Sequence, residues 1–284
     1  MRTLRTIAEV RTAVKVLRRD RRSIGFVPTM GALHEGHLEL IRTASDHHDE
    51  VVVSIFVNPT QFNDPADLAA YPRVEAADAE AAAAAGADFL FAPSASEIYP
   101  DGFATTVHVE GPTAPLEGAS RPGHFDGVAT VVTKLLNIVM ADTAYFGQKD
   151  AQQLAVIRRM ATDLNVATKI EAVATVRDPD GLALSSRNAR LSDADRERAL
   201  ALSRALRAAA DAVAAGTVSA ADVLAAARAE FAARGVEPDY VELVDPTTFS
   251  SVEAVNGQAL LAVAARVGDV RLIDNQPLTS NGSH

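Results

Sequence analysis

Two histidines, His34 and His37, lie three residues apart in the stretch Met30-Gly-Ala-Leu-His-Glu-Gly-His37. An apolar run, Ile24 to Pro28, precedes the stretch, and the helical pattern Leu38 to Ile41 follows it. A strand therefore runs into a glycine-bearing turn that opens a helix. Side chains at i and i+3 share one helix face. A helix N-terminus adds unpaired N–H groups and the positive end of the helix dipole, and both suit a phosphate. The pair is thus expected to meet negative charge on a phosphoryl group, within a loop built from Met30, Gly31, Ala32, Leu33, Glu35 and Gly36. Zinc fits less well. Zinc-binding helices place histidines at i and i+4, whereas here the order is His-Glu-Gly-His, and His47-His48 fall in a polar turn after the helix.

Other segments carry compatible chemistry. In Phe146-Gly147-Gln148-Lys149-Asp150 a lysine sits between a predicted strand and a predicted helix, where its ammonium can meet a phosphate. Asp150 and Gln153 also suit a capping box, so helix capping is an open alternative there. Leu184-Ser185-Ser186-Arg187-Asn188 places two hydroxyls and a guanidinium in a loop that begins near Gly181, a set able to clasp a triphosphate, although many such stretches are solvated loops. Asn58 and Gln61 bring two amides to the end of an apolar run. Glu117, Arg121 and His124 cluster around Pro122 and Gly123. Between these, Asn63 to Ala70 reads as a mobile lid, with Pro65 breaking regular structure.

The elements that must position these groups alternate in type. Helical spacing is expected over 7–19, 78–85, 124–140 and 150–164. Strands are expected at 51–57, 88–91, 143–146 and 169–176. Alternation of this kind implies a parallel sheet with right-handed crossovers, and ligands on such sheets bind beyond the carboxyl ends of the strands. His34/His37, Asn58/Gln61, Gly147/Lys149 and Ser185/Arg187 all follow predicted strands directly, and that convergence says more than any single motif. After Arg190 the composition becomes rich in alanine and arginine, with two helices expected to break near Gly216 and strands at 240–244, 259–265 and 270–273. The expected fold is a Rossmann-like α/β domain over residues 1–176, with helices on both faces of a parallel sheet, followed by a small α+β domain over 177–284 and a frayed tail at 280–284.

Composition limits the alternatives. With 284 residues the chain has room for one large or two smaller domains, and its hydrophobic content of 48% supports a core. It contains no cysteine, which excludes disulfides, thiolate nucleophiles and thiolate metal sites. A formal net charge of −10 argues against general nucleic-acid binding. The basic run Arg18 to Arg22 reads as a solvated helix end. No apolar run approaches the roughly 20 residues of a membrane span, and the N-terminus lacks the features of a secretory signal, so a cytoplasmic location is expected.

Taken in order along nearly the whole chain, these segments closely resemble the pantothenate synthetase family, the pantoate–β-alanine ligases. The likeness rests on Pro28 to His37, Val57-Asn-Pro-Thr-Gln-Phe62, Tyr71-Pro-Arg73, Arg121-Pro-Gly-His-Phe125, Phe146 to Asp150, Leu184 to Asn188 and Leu272-Ile-Asp-Asn275. The His-x-Gly-His and Ser-Ser-Arg elements are shared with wider nucleotidyltransferases and class I aminoacyl-tRNA synthetases. The segments around Gln61 and Gln153 narrow the match. The resemblance implies that pantoate attacks the α-phosphorus of ATP to give pantoyl adenylate and pyrophosphate, and that β-alanine then gives pantothenate and AMP. It implies that His34 and His37 contact phosphate oxygens beside Met30 and Gly31. Gly147, Lys149 and Asp150 would hold the α-phosphate and ribose, with Gln148 between them, and Val176 would meet adenine. Ser185, Ser186 and Arg187 would bind the β- and γ-phosphates, and Gln61 and Gln153 would grip pantoate. Asp78 resembles an acidic position near Mg²⁺, although Ala77 stands where some members carry a second acid. Leu184 and Gln148 replace a frequent methionine and glutamate. The family is typically dimeric. Two other readings stay open from sequence alone: another nucleotidyltransferase of the superfamily, and a nucleotide-binding sensor without turnover.

Overall fold

A computed structural model describes residues 1–280. The expected tail residues 281–284 lie outside the described part, and Ser280 itself accepts a hydrogen bond from the Gly257 N–H. In chain order the elements are β1 (Arg2–Leu4), α1 (Ile7–Arg19), β2 (Ile24–Thr29), α2 (Glu35–His47), β3 (Glu50–Ile55), α3 (Pro65–Ala70), α4 (Glu75–Ala84), β4 (Phe89–Phe91), α5 (Ala95–Ile98), α6 (Glu117–Ser120), α7 (His124–Val139), β5 (Thr143–Gly147), α8 (Ala151–Asp163), β6 (Lys169–Val173), α9 (Asp193–Ala214), α10 (Ala220–Ala233), β7 (Pro238–Val244), β8 (Gln258–Val267) and β9 (Val270–Thr279). Short 3₁₀ turns cover Pro59–Gln61, Gln148–Asp150 and Ser186–Arg190.

The described residues form two compact units, one of residues 1–148 and 156–174, the other of residues 149–155 and those from 175 onward. In the first, six parallel strands run in the order β1-β4-β3-β2-β5-β6. Val27, Val51 and Val53 pack with Leu40, Ile41 and Ala82 of α2 and α4. Phe26 and Val52, one residue out of step, are buried on the other face, as a period of two requires. There α1 packs on α7. The strand order reverses at the β2/β5 pair, the kind of position where open parallel sheets bind ligands. In the second unit, β7, β8 and β9 form an antiparallel sheet covered by α9 and α10, and Leu202, Leu206, Phe231, Val241, Leu261 and Val263 share its core. Among the described residues no helix is long and apolar enough to cross a membrane.

Several local expectations need correction. Pro65 starts α3 instead of breaking structure, because Asp64 caps the Ala66 N–H and a proline fits the first helical position, where its missing N–H costs nothing. Arg73 then donates to the carbonyls of Leu68 and Tyr71 at the end of that helix. The strand expected over 169–176 ends at Val173. The edge strand β1 and the short helices α5 and α6 are additions. Arg18 does not simply face solvent, since it chelates Asp142 and the Met140 carbonyl, while Arg22 pairs with Glu50. His47 is the last residue of α2, and His48 reaches the Tyr145 hydroxyl at 3.0 Å.

Candidate active site

The loop after β2 bends through two left-handed residues, Gly31 at φ +83° and Ala32 at φ +52°. A Cβ at Gly31 would meet Asp78 Oδ2 at 2.9 Å and Ile55 Cγ2 at 3.0 Å, so the position requires glycine twice over. Left-handed geometry at an alanine is strained, and Asp78 holds it in place. Its carboxylate is 3% exposed and accepts from the Ala32 N–H at 2.9 Å and the Leu33 N–H at 2.7 Å. One buried acid thus fixes the backbone that carries the histidines.

His34 is the N-cap of α2, with extended backbone, and does not sit inside the helix. Its Nδ1 accepts from the Gly36 N–H at 3.2 Å, while the His34 N–H donates to Nδ1 of His37 at 3.3 Å. The two rings lie 4.1 Å apart. Each imidazole therefore completes half of a reciprocal cap, the arrangement a serine and a glutamate usually make. This changes the expected chemistry of the turn. The amides of His34 and Gly36 serve the imidazoles. A backbone N–H can only donate, so both Nδ1 atoms are acceptors and both neutral rings carry their proton on Nε2. The turn thus presents two imidazole N–H groups of fixed tautomer at the positive end of the helix dipole.

Gln61 closes the 3₁₀ turn after β3. Its carbonyl accepts from His124 Nδ1 at 2.9 Å and Arg121 Nη2 at 3.2 Å, which places the Arg121–His124 cluster against the Gln61 backbone. Its side-chain oxygen accepts from Asn58 Nδ2 at 3.0 Å, and its Nε2 donates to the Met30 sulfur at 3.1 Å. Asn58, 1% exposed, also donates to the Gly127 carbonyl, and its oxygen accepts from Thr60 and from the Tyr99 hydroxyl. Gly127 lets α7 approach this turn, since a Cβ there would lie 2.5 Å from the Thr60 oxygen. Burial pushes the Tyr99 phenol above its ordinary pKa, so it stays an O–H donor. A cavity of about 350 Å³ opens beside Met30 and Gly31, with Val57, Leu68 and Arg73 also in its wall.

The second unit holds Lys149, Asp150, Gln153, Val176 and Leu184 to Arg187. Lys149, in the 3₁₀ turn before α8, has its carbonyl gripped by Asn275 Nδ2 at 2.8 Å. Neighbouring Asp274, 4% exposed, takes both ends of the Arg177 guanidinium, at 2.6 and 3.0 Å. Asp150 and Gln153 belong to this unit as well. The loop from Val176 doubles back on itself. The Leu184 N–H donates to the Val176 carbonyl, Arg177 bridges to Ala183, and Gly181 turns back on Asp178. Arg196 clamps the bend through Asp178 and Asp180. Val176 is thereby brought beside Leu184 and Ser185. Ser185 caps the next turn through the Arg187 N–H, and Asn188 Nδ2 donates back to the Ala183 carbonyl.

Each unit thus brings its own candidates together: Met30, Gly31, Ala32, Leu33, His34, Glu35, Gly36, His37, Gln61 and Asp78 in the first, and Lys149, Asp150, Gln153, Val176 and Leu184 to Arg187 in the second. Gly147 ends β5 and Gln148 opens the 3₁₀ turn that follows, both in the first unit. Among the described residues no group of three or more His, Asp or Glu is disposed to hold a metal ion. Both oxygens of Asp78 accept backbone N–H groups, from Ala32 and Leu33.

Comparison with known proteins points to one family. A family model described as "Pantoate-beta-alanine ligase" matches residues 2–277. A pantothenate synthetase of Cereibacter sphaeroides is 54% identical over 97% of this chain and 99% of its own length, and one of Koribacter versatilis is 50% identical over 100% and 98%. A crystal structure of pantothenate synthetase from Thermus thermophilus superposes with a TM-score of 0.91 at 47% identity, covering 97% of this chain and 99% of that one. A pantoate–β-alanine ligase structure from Francisella tularensis, complexed with β-γ ATP and β-alanine, gives 0.80 at 38% identity, with 97% of each chain covered.

Proposed function

The chain belongs to the pantoate–β-alanine ligase family, and we propose that it performs the family's reaction by positioning and charge stabilisation alone, through an acyl adenylate. It condenses pantoate with β-alanine, using ATP and forming AMP. Residues 1–176 would bind ATP and pantoate. One pantoate carboxylate oxygen attacks the α-phosphorus, the bond to the β-phosphate oxygen breaks, and pyrophosphate leaves. The β-alanine amine then attacks the acyl carbon, the bond to AMP breaks, and the amine proton is lost to solvent.

The observation that carries this reading is the reciprocal imidazole cap. It fixes two neutral N–H donors, His34 Nε2 and His37 Nε2, without any residue acting as base or nucleophile. None is needed, because the substrate carboxylate is already a nucleophile. Preorganised donors aimed at developing charge are the largest single contribution in such reactions, and holding two reactants together supplies much of the rest. In this scheme Met30, Gly31, Ala32, Leu33, Glu35, Gly36, Gly147, Gln148, Asp150, Val176 and Leu184 line the nucleotide. Lys149 neutralises the α-phosphate, Ser185, Ser186 and Arg187 hold the outer phosphates, and Gln61 and Gln153 hold pantoate. In the family pattern Asp78 is the carboxylate that would lie near Mg²⁺, which would neutralise charge on the leaving pyrophosphate. By family analogy the enzyme acts as a cytoplasmic homodimer.

A product assay with ATP, Mg²⁺, pantoate and β-alanine tests the reading. Stoichiometric AMP, pyrophosphate and pantothenate are expected. AMP formation that ignores the amine would point to another nucleotidyltransferase, and no turnover to a binding protein.

A further inference from the structure

The amide of Asn58 has only one possible orientation. One end faces the backbone N–H of Thr60 at 3.3 Å, which cannot accept, so that end is the oxygen. The other end faces the carbonyl of Gly127 at 3.1 Å, which cannot donate, so that end is the nitrogen. The assignment rests on backbone groups and is free of the usual ambiguity of amide flips. Two hydroxyls add to it: Tyr99 and Thr60 each donate to Asn58 Oδ1 at 2.9 Å. The Tyr99 ring is itself held, edge-on to Phe103 at 5.0 Å and with Lys134 Nζ 5.8 Å from its centroid.

The polarity passes along the chain. Asn58 Nδ2 lies 3.0 Å from Gln61 Oε1, so the Gln61 oxygen is taken and its nitrogen faces away. That nitrogen rests on the Met30 thioether at 3.1 Å. A thioether is a weak acceptor, and a substrate oxygen would displace it readily. With the Gln61 carbonyl pinned by Arg121 and His124, neither the backbone nor the side chain of this residue has freedom to turn over.

We propose that Tyr99 and Asn58 are positioning residues that fix the Gln61 amide with its nitrogen toward the acyl substrate, so that Gln61 acts only as a donor and meets an acceptor oxygen of the hydroxy acid. The proposal rests on the ligase reading above. It also narrows that reading, since a primary amide on its own offers both a donor and an acceptor. Tyr99 touches no reactant in this account. It acts through Asn58.

The test uses the full-length enzyme and pantoate-dependent pyrophosphate release. If the parent shows no release, the ligase reading falls, and the relay is then read from the Kd of pantoate by calorimetry, with the same expected ratios. With an active parent, Tyr99→Phe is expected to raise the KM for pantoate about 3- to 10-fold, the worth of one buried hydrogen bond. The KM for ATP and the melting temperature should hold. Thr60→Val removes a second donor to the same oxygen and should act in the same direction, which keeps the test available if Tyr99→Phe folds poorly. The deciding arm is coupling. In a Gln61→Ala background, Tyr99→Phe should change pantoate KM by less than about 2-fold, because the residue it acts through is gone. An unchanged pantoate KM in both single variants would overturn the proposal. So would an equal effect of Tyr99→Phe with and without Gln61.

Discussion

The turn at residues 30–37 and the loop at residues 176–190 carry candidate phosphate donors by opposite means. In the first, the functional side chains are also the scaffold, since His34 and His37 cap α2 with the same rings that would meet the nucleotide. In the second, the scaffold is separate. Arg177 with Asp274, and Arg196 with Asp178 and Asp180, hold the loop from outside, while Ser185 to Arg187 sit on the turn so formed. The two regions should therefore fail differently. Substitution in the turn couples stability to catalysis. In the loop the two can be separated, because ion-paired residues that touch no substrate set the geometry.

The largest effect is expected at the turn. His37→Ala should lower the single-turnover rate of adenylate formation at least about 10²-fold, the scale for one preorganised donor, and should also cost about 1 kcal/mol of stability through the lost cap. Lys149→Ala should match the rate loss with little change in melting temperature, because it is the Lys149 backbone carbonyl, retained in the variant, that Asn275 holds. If His37→Ala proves as stable as the parent, the dual role assigned to the turn is wrong.

An intermediate effect is expected from the loop's support. Asp274→Ala leaves the Arg177 guanidinium without its bidentate partner in a partly buried place, which should cost about 2–3 kcal/mol in chemical denaturation. The KM for ATP should rise about 10-fold while the KM for pantoate stays within about 2-fold. Equal changes in both would show that the loop does not act through the nucleotide.

The smallest effect separates the units by pH. Burial holds His48 below the ordinary histidine pKa, with Asp142 opposing and His47 reinforcing. A depressed group favours its neutral form in the fold, so its stabilising contribution is present above the unfolded value of about 6.5 and is lost as pH falls toward the folded value. Among the described residues every histidine lies in the first unit. Hydrogen exchange compared between about pH 7 and about pH 5.5, either side of the unfolded value, should therefore show faster opening in α2 and β2 and no comparable change in α9. Replacing His48 with Gln should flatten the difference.

Much of this arrangement was legible in the residues, and what was not has a physical reason. The strand-turn-helix around His34 could be read because glycine, an apolar run and helical spacing are local signals. So could the alternation that builds the parallel sheet. The reciprocal cap could not, because serine, threonine and acids usually occupy those positions and imidazoles rarely do. Pro65 misled, since proline both ends and begins helices, and only Asp64 one residue earlier tips the balance. The contacts of Asp78 with the loop amides, across 46 residues to Ala32, are tertiary and leave no local trace. Tyr99 gave no sign, being 41 residues from Asn58. Asp274 and Asn275 interrupt an apolar strand, and two polar residues in such a place are a signal that something distant must satisfy them.

The central claim is that the protein performs adenylation by positioning fixed donors around a substrate nucleophile, with no part for the amine. A single-turnover experiment with enzyme in excess over ATP, and with Mg²⁺ and pantoate saturating, tests it most directly, one portion being quenched in acid without β-alanine and a second receiving β-alanine before the quench. The account predicts close to one equivalent of pyrophosphate per limiting ATP, together with an acyl adenylate that added β-alanine converts to pantothenate and AMP. Pyrophosphate that appears only after β-alanine is present would contradict it.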